Sequence, residues 1–181
     1  MEIKHTYKHL VRKPCCCGAA SLQMILFRRE HWVEQEEIAA KIRTKISSQR
    51  IKFFNQEFVV DDSDAGIPLE RFAEINDLLK QYSLQAEVFK INDINDLKGL
   101  ITKNLERDND IIINFHRLAY LPDRNWGHFS SISAINDDQL TICDPSYHSQ
   151  AYWNTSISEL ELAMNDKWDG KERGVVIISK I

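Results

Sequence analysis

The chain has 181 residues, 43% hydrophobic and 28% charged, which fits one domain over residues 1–181 with a sizeable core and no need of staples. Its formal net charge of -4 argues against a nucleic-acid partner, whose footprint is a basic face. The longest apolar runs, such as Ile111-Ile112-Ile113, are far too short to cross a bilayer, and the charged start from Met1 to Tyr7 carries no apolar signal-peptide core, so no membrane association is expected and the compartment is expected to be cytoplasmic.

In chain order, Pro14 ends a short basic leader containing Lys8, Arg12 and Lys13. Residues 17–29 read as a mostly buried helix, with Ala19, Ala20, Leu22, Met24, Ile25, Leu26 and Phe27 and no interior breaker. A second helix is expected over 35–46, where Ile38, Ala39, Ile42 and Ile46 share a face. Residues 52–66 are less regular, with Phe53, Phe54 and Phe58 leading into an acidic turn from Asp61 to Gly66. That turn does not suit calcium: the glutamate that closes an EF-hand loop is replaced by Phe72, so a solvated loop is expected. Pro68 suits the first turn of a helix running to about Tyr82 through Phe72, Ile75 and Leu79. Ala86 and Val88 mark a short strand, and Ile94, Leu97, Ile101 and Leu105 mark another helix.

From Asp110 onward the period changes. Residues 111–115, 129–135, 140–143 and 175–178 are short β-rich runs, with Asn136-Asp137-Asp138 as a hairpin signal. Ser156 and Glu159 match a capping box that opens a last helix to about Asn165. Helices first and an antiparallel sheet second is the α+β order, with no repeat or linker.

The four cysteines are Cys15, Cys16, Cys17 and Cys143. Three in a row make a poor disulfide framework, and adjacent sulfurs do not suit one tetrahedral zinc ion, so free thiols and no metal or other cofactor are expected. Thiol-based metal binding by Cys15, Cys16 and Cys17 is a minor alternative. Cys17-Gly18-Ala19-Ala20-Ser21 opens a buried helix, where a thiol meets unpaired N–H groups and the positive end of the dipole. The dipole contributes only about 0.3–1 kcal/mol, too little to bring a thiol below neutrality, so an activated Cys17 requires an imidazole. His128 is the best candidate, at the start of a predicted strand. Asp144 follows sixteen residues later at the end of the next strand, and a hairpin would bring the two together. Cys17, His128 and Asp144 then form a nucleophile, a base and an orienting carboxylate. His116 is the competing base, and Cys143 alternates onto the face opposite Asp144 and is expected in the core.

The segment from Pro14 to Leu22, Pro-Cys-Cys-Cys-Gly-Ala-Ala-Ser-Leu, resembles the P-x-x-C-G-x-A-S-L nucleophile segment of the phytochelatin synthases, and Gly127-His128-Phe129-Ser130 resembles their G-H-F-S segment. Asp144 falls at the family's aspartate, and Tyr152-Trp153, residues 161–165 and Arg173-Gly174 extend the likeness at the C-terminal end. Bacteriocin-leader-processing peptidases share the layout more loosely. The resemblance implies a papain-like fold, with the nucleophile at a helix start, and attack of Cys17 on the Cys–Gly amide of glutathione or a related γ-glutamyl peptide. It implies a small thiol peptide as partner, and hydrolysis as the main outcome where no cysteine-rich C-terminal extension is present. The alternatives are a papain-like peptidase or deamidase acting on a protein substrate, or an inactive papain-like binding domain.

Three positions depart from the family. Val11 stands where a glutamine donates to the oxyanion, a type of donor whose loss costs about 100–1,000-fold in turnover. His9, Arg12 and Lys13 are the neighbours able to substitute for it. Lys13 replaces an acidic residue, and Tyr147 replaces an arginine suited to carboxylate binding.

Overall fold

The switch of hydrophobic period at Asp110 separates two ways of covering one sheet. The computed structural model describes residues 2–121, 123–165 and 168–181. Its seven-stranded sheet runs in the order β2 (Leu84–Lys90), β7 (Gly174–Lys180), β3 (Asp110–His116), β4 (Gly127–Asn136), β5 (Gln139–Cys143), β6 (Tyr152–Ser156). All pairings are antiparallel. β1 (Ile3–Lys4) pairs with Ile135 and Ala134 of β4. β5 already holds one edge of β4 there, so β1 takes the edge that β3 leaves beyond Ser131. The α+β expectation holds.

One face packs on α1 (Cys17–Arg28) and α2 (Gln35–Lys41), the other on α4 (Leu97–Glu106) and α5 (Ile157–Met164). α1 is buried from Gly18 through Leu26, as a helix that is apolar all round must be. α4 starts at Asp96, whose carboxylate accepts from the Gly99 N–H, and α5 starts at the predicted capping box of Ser156 and Glu159.

Two helices differ from their sequence reading. α2 ends at Lys41 instead of continuing to 46, because Arg43 adopts a left-handed φ of 52°. Ile46 is still fully buried, but from a bridge to Val60. Apolar spacing reports burial and is blind to a left-handed residue that is not glycine. Between Pro68 and Tyr82 only α3 (Asn76–Leu79) is α-helical, flanked by 3-10 helix at Leu69–Ile75 and Lys80–Tyr82. Pro68 caps this segment from extended backbone, φ -76° and ψ 157°, instead of sitting in its first turn. The Asn76 amide ties it to β2, accepting from the Ala86 N–H at 2.6 Å and donating to the Ala86 carbonyl at 3.1 Å.

A register slip between β4 and β5 positions the site. Ala134 pairs with Thr141, but Ile132 pairs with Ile142, leaving Ser133 as the extra residue of a bulge. The slip turns Ile132 and Ile135 into the same core, which strict alternation forbids for residues three apart. It also sets the facing of Asp144. Ser131 pairs with Cys143, so the register carries Asp144 opposite Ser130, on the face that His128 shares. Without the slip Asp144 would point away from His128.

At the far end of α1 the fully buried Asp110 carboxylate accepts from Tyr7 Oη at 2.8 Å, Arg28 at 3.1 Å and Arg29 Nε at 2.6 Å. This node ties the leader, α1 and β3 together. Asp110→Asn leaves Arg28 and Arg29 with only the exposed Asp108 as counter-charge, at a cost below the ~3–5 kcal/mol of breaking a fully buried pair. The expected outcome is a lower urea midpoint with an unchanged m value; an unchanged midpoint would show that the node does not hold the fold.

Candidate active site

Cys17 owes its position to the turn before it. Cys16 N–H donates to the Lys13 carbonyl at 3.1 Å, closing a turn with Pro14 second and Cys15 third, and Cys15 has a φ of 62°. Proline second and positive φ third is the type II pattern, normally completed by glycine. A side chain held in the left-handed region costs on the order of 1–3 kcal/mol. α1 then begins at Cys17, with no side chain capping its start, and the half-buried thiol opens into a cleft of about 750 Å³.

His128 stands two residues into β4, fully buried against Phe115. Its Nε2 lies 2.6 Å from Asp144 Oδ1, which leaves Nδ1 as the ring nitrogen for the Cys17 thiol. Gly127 is required by a close approach: a Cβ there would stand 2.5 Å from the Arg173 guanidinium. Gly174 meets the same constraint, since its Cβ would lie 1.9 Å from the Phe89 carbonyl oxygen. Arg173 in turn donates to Asn114, whose amide donates to the His128 carbonyl at 3.1 Å. Gly127 thus makes room for Arg173, while Gly174 makes room for the backbone of β2.

Asp144 is the most heavily solvated-by-protein group of the site. Besides His128 it accepts from the Ser146 N–H (2.9 Å), Ser149 Oγ (2.8 Å), Trp153 Nε1 (3.1 Å) and Arg117 (3.4 Å). Burial raises its pKa, but His128, Arg117 and the Ser146 N–H together hold it well below the carboxylate range. Burial likewise lowers His128, and Asp144 and Cys17 outweigh it, so the imidazole is raised. For Cys17, burial pushes up while the His128 hydrogen bond and charge, the Arg12 charge and the Phe129 backbone bring the thiol down to about 7. An ionised thiolate beside an imidazolium is chemically equipped for nucleophilic attack followed by proton donation.

The other candidates separate clearly. Cys16 is raised by burial and is fully buried; Cys143 is pushed up to about 11 by burial and lies in the core against Met24. His116 is buried, stacks on Trp168 and does not line the cleft. Among the described residues no cluster of three or more His, Cys, Asp or Glu is placed to hold a metal. Val11 is 53% exposed and outside the cleft lining, so it offers nothing to the site. His9 is engaged with the Asp144 carbonyl at 2.8 Å and Lys13 with Glu36. Of the three neighbours of Val11, Arg12 alone lines the cleft.

Sequence reasoning gave no role to Arg117, Trp153, Ser149 or Asn114. Trp153 was visible as part of the family likeness. The others are polar residues in turns and strands whose partners lie 5–59 positions away, and nothing local marks them.

Several solved structures share this fold. A C39-like peptidase from Bacillus anthracis superposes with a TM-score of 0.63 at 13% identity, covering 100% of this chain and 98% of that one. The peptidase domain of Streptococcus ComA, a bifunctional ABC transporter involved in quorum sensing, gives a TM-score of 0.54 at 14% identity over 97% of this chain and 100% of that one. A double-glycine-motif protease from an AMS/PCAT transporter, in complex with its leader peptide, gives 0.52 at 14% identity over 97% and 91%. At such identities the likeness is one of fold. No curated protein sequence matches the chain significantly. The family model for phytochelatin synthase matches residues 3–175, and the chain belongs to the phytochelatin synthase family.

Proposed function

We propose that this protein is a cysteine-dependent amidase or acyltransferase that cleaves the Cys–Gly bond of glutathione or a related γ-glutamyl peptide. The observation that carries the reading is the contact series Cys17–His128–Asp144 at the cleft, in a chain of this family. Cys17 is the nucleophile, His128 the acid and base, and Asp144 the group that orients His128.

The Cys17 thiolate attacks the carbonyl carbon of the Cys–Gly amide, and its lone pair forms the C–S bond. The N–H groups at the uncapped start of α1 face the negative charge that develops on the carbonyl oxygen. As the intermediate collapses, the C–N bond breaks and the His128 imidazolium gives its proton to the leaving glycine nitrogen. A γ-glutamylcysteinyl thioester remains on Cys17. Neutral His128 then takes a proton from water or from a second peptide amine, which attacks the thioester and restores the thiolate. Asp144 stays ionised throughout, since its acceptor sites are already filled by five donors. A cleft of about 750 Å³ lies in the upper part of the range for small-ligand sites, roughly 300–1,000 Å³, and leaves room for an acyl acceptor or a longer peptide beside the first.

Incubation with glutathione is expected to release free glycine, with turnover reduced at least ~1,000-fold in Cys17→Ala. Glycine release equal to that of the variant rules out glutathione as substrate. Asp144→Asn keeps the shape but presents His128 with the wrong hydrogen bond, and an expected loss of about 100- to 10,000-fold in kcat is checked in the same assay.

The thiol itself is tested by alkylation. Iodoacetamide is expected to label Cys17 with a half-maximal rate near pH 7, while Cys143, at about 11, stays unreactive. In His128→Ala the hydrogen bond and charge that lower Cys17 most are gone, while burial, the Arg12 charge and the Phe129 backbone remain, so the midpoint moves upward. Peptide mapping by mass spectrometry reads each cysteine separately, and an unmoved midpoint would sink the pairing.

A further inference from the structure

The carboxylates along the cleft have cationic partners. Asp64 meets Lys45 and Lys171, Glu70 and Glu172 meet Lys90, and Asp169 meets Arg173. Two guanidiniums on the same cleft, Arg12 and Arg50, take part in no ion pair among the described residues. An exposed arginine by itself is a solvated charge. Arg12 is different, because its backbone and side chain are both held in place.

The Arg12 N–H donates to the Pro145 carbonyl at 2.8 Å, directly after Asp144. Gln35 clamps the residues on either side, donating to the Val11 carbonyl at 3.0 Å and accepting from the Lys13 N–H at 2.9 Å. The guanidinium lies over the Tyr147 ring at 4.8 Å, and its Nε is buried without a hydrogen-bond partner. A half-buried cation in a fixed orientation, facing a cleft and lacking a counter-ion, is a site waiting for an anion. Arg12 and Arg50 belong to one region, since both act on His148, whose pKa is lowered by burial and then by Arg124, Arg12, Arg117 and Arg50. Arg12 influences the Cys17 sulfur through charge alone, without a hydrogen bond to it. That separation suits a group binding part of the substrate away from the scissile carbonyl, and does not suit an oxyanion donor.

We propose that Arg12, assisted by Arg50, forms a carboxylate subsite beside Cys17 that makes this protein selective for acidic peptides. The guanidinium plane, backed by Tyr147, presents its outer N–H groups to the two oxygens of one carboxylate. Arg12 is then a specificity residue: it lowers KM for substrates carrying that carboxylate and has no part in bond making. The proposal rests on the reading of Cys17 as the nucleophile but does not need glutathione to be the substrate.

The test compares alkylation of Cys17 by iodoacetate and by iodoacetamide, reagents of the same reactivity class that differ in carrying a carboxylate. Taking the ratio of the two rates cancels any change in the thiol's own pKa. The ratio is expected to favour iodoacetate at low salt and to fall about tenfold in Arg12→Met, the weight of one hydrogen-bonded charge. It should fall less in Arg50→Met, and Arg12→Lys should recover part of the loss. A ratio unchanged in both Arg12→Met and Arg50→Met overturns the subsite, whether or not glycine is released from glutathione. The exposed Arg50 provides a variant that does not depend on packing around Tyr147. Where glutathione is turned over, Arg12→Met should raise its KM more than it lowers kcat. That KM penalty should vanish either for the glycinamide analogue or for 4-aminobutyryl-cysteinylglycine, which identifies the carboxylate bound. A penalty retained in full by both analogues also overturns the proposal. Preserved iodoacetate selectivity without any glycine release supports the subsite and removes glutathione as the substrate.

Discussion

The site depends on one carboxylate being kept ionised where water does not reach. Asp144 is fully buried, and an unpaired charge there would be too costly to keep. The structure supplies donors from the turn after β3 (Arg117), from β4 (His128), from β6 (Trp153) and from the loop after β5 (Ser146 and Ser149). The five donors come from four segments, so the carboxylate fixes how those segments meet. Deleting it would leave Arg117 buried without its counter-charge, so the carboxylate that meets His128 is also one that organises the sheet's end.

That carboxylate reaches His128 only because of the bulge at Ser133. Side chains alternate with a period of two, so a register lacking the extra residue would send Asp144 to the α1 face, with Cys143 taking its place beside the imidazole. The bulge is stabilised by the core, since it lets Ile132 and Ile135 both pack against Leu140, Ile142 and the helices beyond. Apolar packing in the middle of the hairpin thereby sets the aim of a polar residue at its end.

Much of this was legible in the sequence, for identifiable reasons. The buried helix beginning at Cys17, the strands around His128 and Cys143 and the capping box at Ser156 each follow from a local pattern that survives folding: continuous apolarity, β-branched runs, or side-chain to backbone capping. The meeting of His128 with Asp144 was legible as a hairpin, although its facing depends on a bulge hinted at only by two isoleucines three apart. What was not legible has a common cause. β6 is an edge strand of mixed exposure, β1 has two residues, and α2 stops at a left-handed Arg43. Arg12 read as part of a basic leader, because its pairing with Tyr147 and its lack of a carboxylate are facts about residues 135 positions away.

The energetics of Cys17 decide how the parts divide the work. Lowering a thiol from its ordinary value of 9.0 to about 7 is a bias toward thiolate of roughly 3 kcal/mol, and it is achieved against the opposing effect of burial. The start of α1 contributes about 0.3–1 kcal/mol of this at most. Most must come from His128, and His128 can supply it only as an imidazolium, which the buried Asp144 makes favourable. The thiolate at the helix start is therefore sustained by a carboxylate two contacts away, and Arg12 adds a second positive charge on the open side of the cleft. Two positive groups thus favour the Cys17 thiolate, the imidazole of His128 by hydrogen bond and charge and the guanidinium of Arg12 by charge alone.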